Sequence, residues 1–239
     1  MKRQVILVVI GLCLIGQPAM GDMTINVPGT SCIYFAGQSQ PELETAYPPT
    51  PGDWTNHYNF HNDTDDSYST IPPFVDITGF GGMIVSITAT GTWGFDPDNP
   101  EGPDGGTYTA FGINGTGISH NEYDDLGVSL LTAPYNGLVG VFLTGATPVA
   151  GSAPVSLSTL AGDDMTTPLL HQAFYIGSSL ENITIPSGAT RLFFGLHDGF
   201  GWYDNIGSVD VTVVPAPGAF ILCAIGIGCV HWLSRRRTL

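Results

Sequence analysis

From residue 83 onward, apolar side chains recur at every second position of this chain. Met83, Val85, Ile87 and Ala89 alternate with Ile84, Ser86, Thr88 and Thr90. Leu192, Phe194 and Leu196 alternate with Arg191 and Phe193, and Val209, Val211 and Val213 alternate with Ser208, Asp210 and Thr212. A period of two sends successive side chains to opposite faces, so each run predicts a strand with one buried face. Leu138 to Leu143 is continuously apolar and predicts a central strand. The 32 glycines and 18 prolines fall in turn-like clusters between such runs, and no long stretch keeps an apolar stripe at helical spacing. The reading is all-β, a sandwich or barrel of short strands without internal repeats.

The two ends read as addresses. Lys2 and Arg3, the apolar run VILVVIGLCLIG and the small-residue site Ala19-Met20-Gly21 predict a secretory signal peptide over 1–21, cut before Asp22. At the other end, residues 215–239 hold a proline-marked boundary, an apolar run from Gly218 to Leu233 and the cluster Arg235-Arg236-Arg237. This predicts a membrane anchor, extended by Val214 to Pro217, with its arginines on the cytoplasmic side. Residues 22–72, rich in Pro, Asn, Asp and Thr, read as an irregular N-terminal extension, and 73–214 as the β-sandwich domain. The chain is accordingly expected to be exported and surface-associated. Cys13 lies in the expected signal and Cys223 and Cys229 in the tail, so Cys32 is alone in the mature body and forms no intramolecular disulfide there. A buried small residue is the expectation for it.

Charge narrows the partners. The chain has 21 acidic and 6 basic residues, and only Arg191 among the basic ones lies away from the ends. Such a body repels phosphate backbones, which excludes nucleic acid as a partner and suits divalent cations.

One stretch concentrates oxygen and bend. HDGFGWYDNIGSVDV, residues 197–211, follows one predicted strand (191–197) and leads into another (207–214), so Asp198 to Ile206 is a loop at one end of the sheets. Calcium takes about 6 to 8 oxygen ligands. Asp198, Asp204 and Asn205 supply side-chain oxygens, and Gly199 and Gly201 permit the backbone angles that turn carbonyls inward. The same residue types also form ordinary turns.

Two stretches, Gly82 to Pro97 (GMIVSITATGTWGFDP) and Arg191 to Val213, resemble the calcium-dependent galactose-binding lectins of the PA-I type. The resemblance covers residues 73–214 and implies a two-sheet antiparallel, jelly-roll-like β-sandwich of the galactose-binding-domain class. It implies a calcium ion held by Asp198, the carbonyl of Gly201 or Trp202, Asp204 and Asn205. The carbonyl of Phe95, after the strand end Ala89-Thr90-Gly91, would join from a second loop. The sugar diol would sit on the ion against Asp198, Asp204 and Asn205, with Tyr123 and Asp125 lining the pocket. The family's own His and Gln sugar contacts have no counterpart, so galactose specificity does not carry over. Phe200, Trp202 and Tyr203 offer rings for stacking or for the core. The tail resembles the PEP-CTERM sorting signal of exopolysaccharide-producing bacteria, with Pro215-Ala216-Pro217 lacking the family's acidic residue between the prolines. That resemblance implies a sorting protease or transpeptidase as a partner.

No Gly-x-Ser-x-Gly, His-Glu-x-x-His, phosphate loop or Cys-x-x-Cys is present, so the expectation is a non-enzyme. His57 and His61 have helical metal-ligand spacing without a helical pattern around them and read as loop histidines. The acid pairs Asp124-Asp125 and Asp163-Asp164 suit acid–base work only if the fold spaces them for it. Asp96, Asp98, Glu101 and Asp104 lack calcium-loop spacing, since Pro100 takes the third ligand position. The expected function is calcium-dependent binding of extracellular polysaccharide or cell-surface glycan. The alternative is a structural matrix protein whose calcium only stabilises a loop.

Overall fold

The computed structural model describes residues 20–39, 43, 69–106, 118–119, 126–198 and 202–216. Twelve strands are named in chain order: β1 Met23–Pro28, β2 Phe74–Asp76, β3 Ile84–Gly94, β4 Asp104–Gly106, β5 Ile118–Ser119 and β6 Leu131–Ala133. They continue with β7 Tyr135–Leu143, β8 Leu157–Ser158, β9 Ala173–Tyr175, β10 Ser179–Thr184, β11 Arg191–His197 and β12 Ile206–Pro215. One sheet has the order β1-β12-β3-β10, and the second has β2-β11-β7-β4 with β9 also on β7; β5-β6-β8 form a small third sheet. All pairings are antiparallel except β6 with β8. The protein is thus an all-β sandwich of antiparallel sheets, as the period-two runs predict.

The alternation places the core. In β3, Val85, Ile87 and Ala89 point inward, and in β12, Val209, Val211 and Val213 do the same, while Thr88, Thr90 and Asp210 face solvent. The long register from Ile206↔Gly94 to Pro215↔Val85 makes this pair the spine of its sheet. The opposite sheet is centred on β11 and β7, whose Leu138, Val139, Val141, Phe142, Leu192, Phe194 and Leu196 are fully buried. β7 is the central strand its continuous apolar run predicts.

Two expectations are corrected. β11 does not alternate between core and solvent: Phe193 is buried too, because Phe74 of β2 covers it at 4.9 Å between ring centroids and the Arg191 guanidinium lies over both rings. An outer face covered by a neighbouring strand's ring needs no polar residue. The N-terminal segment is also not wholly an extension. β1 pairs with β12 from Met23↔Val213 to Pro28↔Ser208, and the 3₁₀ turn Ile33–Phe35 is buried in the core beside Cys32. A Cβ at Gly195 would stand 2.8 Å from the Ser31 carbonyl and 2.9 Å from the Ile33 nitrogen, so glycine is what lets this segment lie directly on β11. Met20, inside the expected signal, is also buried.

Among the described residues no helix is long and apolar enough to cross a membrane. The expected apolar signal core and the tail from Gly218 to Leu233 lie outside the described residues, as do His57, His61, Tyr123, Asp124, Asp125, Gly199, Phe200 and Gly201.

Candidate functional site

Strand register assembles one end of the sandwich. β11 ends at His197, opposite Gly137 of β7, and delivers Asp198 into the loop. The loop returns through a 3₁₀ turn, Trp202–Asp204, and Asn205 leads into β12, whose first residue Ile206 pairs with Gly94. Phe95 follows Gly94 directly, so the two segments that sequence reading assigns to one ion, 198–205 and Phe95, are carried side by side by the β12–β3 ladder.

Trp202 anchors the loop. Its ring is fully buried, packs edge-on against Tyr34 at 6.0 Å, and its Nε1–H donates to the Leu196 carbonyl at 2.9 Å. It is therefore core, one of the two uses the sequence leaves open for it, with its indole donor satisfied inside. The Trp202 carbonyl accepts from the Asn205 backbone N–H at 3.3 Å.

Asp198 is fully buried and Asn205 is 4% exposed. Asn205 Nδ2 donates to Asp198 Oδ2 at 2.5 Å, while Asn205 Oδ1 is buried with no hydrogen-bond partner. A buried, unpartnered amide oxygen costs about 1 to 3 kcal/mol and calls for a ligand. Asp204 stands at the exposed rim, yet its carboxyl is pushed up to about 7, first by partial burial and then by the charge of Asp198. Two carboxylates thus press on each other across one loop.

Arg191 is the one Lys or Arg among the described residues; it lies at the far end of β11 and donates to the Thr144 carbonyl at 2.9 and 2.6 Å and to the Ala146 carbonyl at 3.0 Å. His197 is fully buried, its ring nitrogens 3.1 Å from the Leu131 carbonyl and 3.3 Å from the Pro134 carbonyl. Burial lowers it to about 4, outweighing those two carbonyls, so it is neutral near pH 7. Burial likewise pushes the Cys32 thiol well up, which makes this free cysteine the inert core residue expected. Two acids this close in a partly and a fully buried position raise each other's cost of ionising, and a divalent ion is a species that would relieve it. Among the described residues no three His, Cys, Asp or Glu side chains converge. The donors this loop would offer a metal are carboxylate, amide and carbonyl oxygens, the hard-oxygen chemistry of calcium rather than the nitrogen and sulfur chemistry of zinc.

The remaining acids have local tasks. Asp163 accepts from the Ser158 backbone N–H at 2.8 Å, and Asp164 from the Thr166 N–H at 2.8 Å and the Thr166 hydroxyl at 2.6 Å, so this pair caps turns and is not an acid–base couple. Asp96 holds the Asp98 N–H at 3.0 Å and Asp104 the Ser178 N–H at 2.6 Å. Glu101 is different: Asn136 Nδ2 donates to its Oε2 at 2.7 Å. Sequence reading missed His197 and Asn136, since PYNG reads as a plain turn and a histidine at a strand end carries no periodic signal.

No protein-family model and no curated protein matches the chain. Among solved structures, one described as "EclA N-terminal domain; PllA-like lectin" is similar over 81% of this chain and 95% of its own, at 10% identity and a TM-score of 0.33.

Proposed function

We propose that this is a non-enzymatic, calcium-dependent carbohydrate-binding protein whose ion is held by the loop from Asp198 to Asn205. One observation carries the reading: a fully buried Asp198 lies close enough to a second acid, Asp204, to raise it, and the buried Asn205 amide that donates to Asp198 has an oxygen without a hydrogen-bond partner. Asp198, Asp204, Asn205 Oδ1 and the carbonyl of Phe95 are the ligands, with Gly201 or Trp202 supplying a further carbonyl. When bound, calcium supplies charge neutralisation and open coordination positions that a vicinal diol fills. The loop resembles the one by which the PA-I type lectins hold both ion and sugar at Asp198, the carbonyl of Gly201 or Trp202, Asp204 and Asn205, with Asp204 replacing an amide and the loop one residue shorter. Tyr123 and Asp125 belong to the proposed sugar pocket. The proposal includes export and surface association, with the C-terminal segment as membrane tether and substrate of a sorting protease or transpeptidase, and extracellular polysaccharide or cell-surface glycan as the partner.

The deep burial of Asp198 and Asn205 favours a second reading, in which calcium only staples the loop. A glycan array read in calcium and then in chelator, paired with melting curves, separates the two. Chelator-sensitive glycan binding supports the first reading. A calcium-raised melting temperature without glycan binding supports the second, and absence of calcium binding overturns both.

A further inference from the structure

Across β3 from the ion loop, one carboxylate is held in place with nothing to do. Trp93 stands in β3 between two partners: Gly207 of β12 on one side and Glu101 on the other, where Trp93 N–H donates to the Glu101 carbonyl at 2.9 Å and Glu101 N–H to the Trp93 carbonyl at 2.8 Å. Two strand spacings, about 10 Å, therefore separate the Glu101 backbone from the start of β12. The Glu101 side chain is fixed by Asn136, which is 1% exposed and adopts φ 58, a left-handed conformation that asparagine tolerates better than most residues. Trp93 Nε1 donates to the Asn136 carbonyl at 2.8 Å and locks that conformation. Gly106 leaves the space, since a Cβ there would overlap the Glu101 carboxylate. Three residues thus serve to hold one half-buried carboxylate whose Oε1 accepts no hydrogen bond from any described residue, and Asn136 Oδ1 is itself buried without a partner.

We propose that Glu101, positioned by Asn136, is a second ligand-holding point that accepts hydroxyl hydrogens from the sugar unit next to the one on the ion, so that the ligand is an oligosaccharide. The inference rests on the carbohydrate reading above. A second cation has less to hold it here, one carboxylate beside Asn136 against the two carboxylates of the ion loop. A ligand donating O–H does fit, because a carboxylate with one oxygen oriented and the other open is an acceptor waiting for donors. Glu101 and β12 flank β3 on opposite sides, so a ligand of more than one unit is what would run from the ion loop to this point.

The test is titration calorimetry in calcium with methyl galactoside, methyl glucoside and methyl mannoside, and with disaccharides built from the same three hexoses. Glu101→Gln is isosteric: its amide oxygen keeps the Asn136 bond and turns a donor toward the ligand where an acceptor stood. It is expected to bind calcium and the best monosaccharide as the wild type does, with an unchanged melting temperature, and the best disaccharide about tenfold more weakly. Glu101→Ala, which leaves the buried Asn136 N–H unpaired and is expected to melt lower, is expected to give the same split between mono- and disaccharide. Equal disaccharide affinity in wild type and Glu101→Gln, or equal losses on mono- and disaccharide, overturns the inference and leaves the ion loop standing. Failure of the wild type to bind any of the sugars overturns the carbohydrate reading itself, and this inference with it.

Discussion

Asn205 Nδ2 donates to Asp198 Oδ2 at 2.5 Å, inside a loop where neither side chain sees solvent and Asn205 Oδ1 has no partner. The amide is turned so that its donor restrains one acid while its acceptor stays open. Asp198→Asn keeps that hydrogen bond and removes the charge. Its calcium affinity is expected to fall by well over tenfold, and calcium should no longer raise its melting temperature. Equal calcium affinities by calorimetry would reduce the loop to a turn.

Asp204 makes ion binding a proton-release reaction. Its carboxyl, raised to about 7 in the ion-free protein, must ionise to act as a ligand. Apparent calcium affinity is therefore expected to be flat above about pH 8 and to drop by about tenfold between pH 8 and pH 6, most of it below pH 7. Calorimetry in two buffers of different ionisation enthalpy should detect roughly one proton released at pH 6 and little at pH 8.

His197 sets the acid limit of the fold. Its folded value of about 4 lies below its ordinary 6.5, so as pH falls through 6.5 the unfolded chain gains a proton that the folded one refuses until about 4. Stability is complete above 6.5 and is lost downward across that window, by about 3 kcal/mol from this residue. Asp204 has the opposite sign, since its folded value is raised: the ion-free protein keeps that proton up to about 7 and loses stability as pH rises from about 4. Denaturant titrations of Asp204→Asn between pH 7 and pH 4 isolate the histidine. That variant should lose about 3 kcal/mol over the range, and Asp204→Asn with His197→Gln distinctly less.

Gly195 tests the seating of the N-terminal segment. Gly195→Ala drives a Cβ into the Ser31 carbonyl and the Ile33 backbone, neither of which is a side chain able to rotate away. A loss of about 1 to 3 kcal/mol in urea unfolding is expected. A neutral result would mean that residues 31–35 do not lie on β11.

The strands of the spine were legible because one buried face imposes a period of two, and Val85, Ile87, Ala89, Val209, Val211 and Val213 obey it. Asp198, Asp204 and Asn205 were legible as an oxygen-rich loop for a different reason: carboxylates, an amide and glycines fall together between two such strands, although the same residue types also form ordinary turns. What the chain order by itself determined is thus each strand's inward face and the loop's chemistry. Tertiary structure decided everything that depends on a neighbour. Phe193 is buried only because Phe74 covers it, and Trp202 is core only because Leu196 accepts its N–H and Tyr34 meets its ring. Glu101 is set apart from the other acids of its segment only because Asn136, 35 residues away, holds it. Periodicity reports which way a side chain points, whereas burial, counter-charge and hydrogen-bond partners come from residues distant in sequence that only the folded register brings alongside.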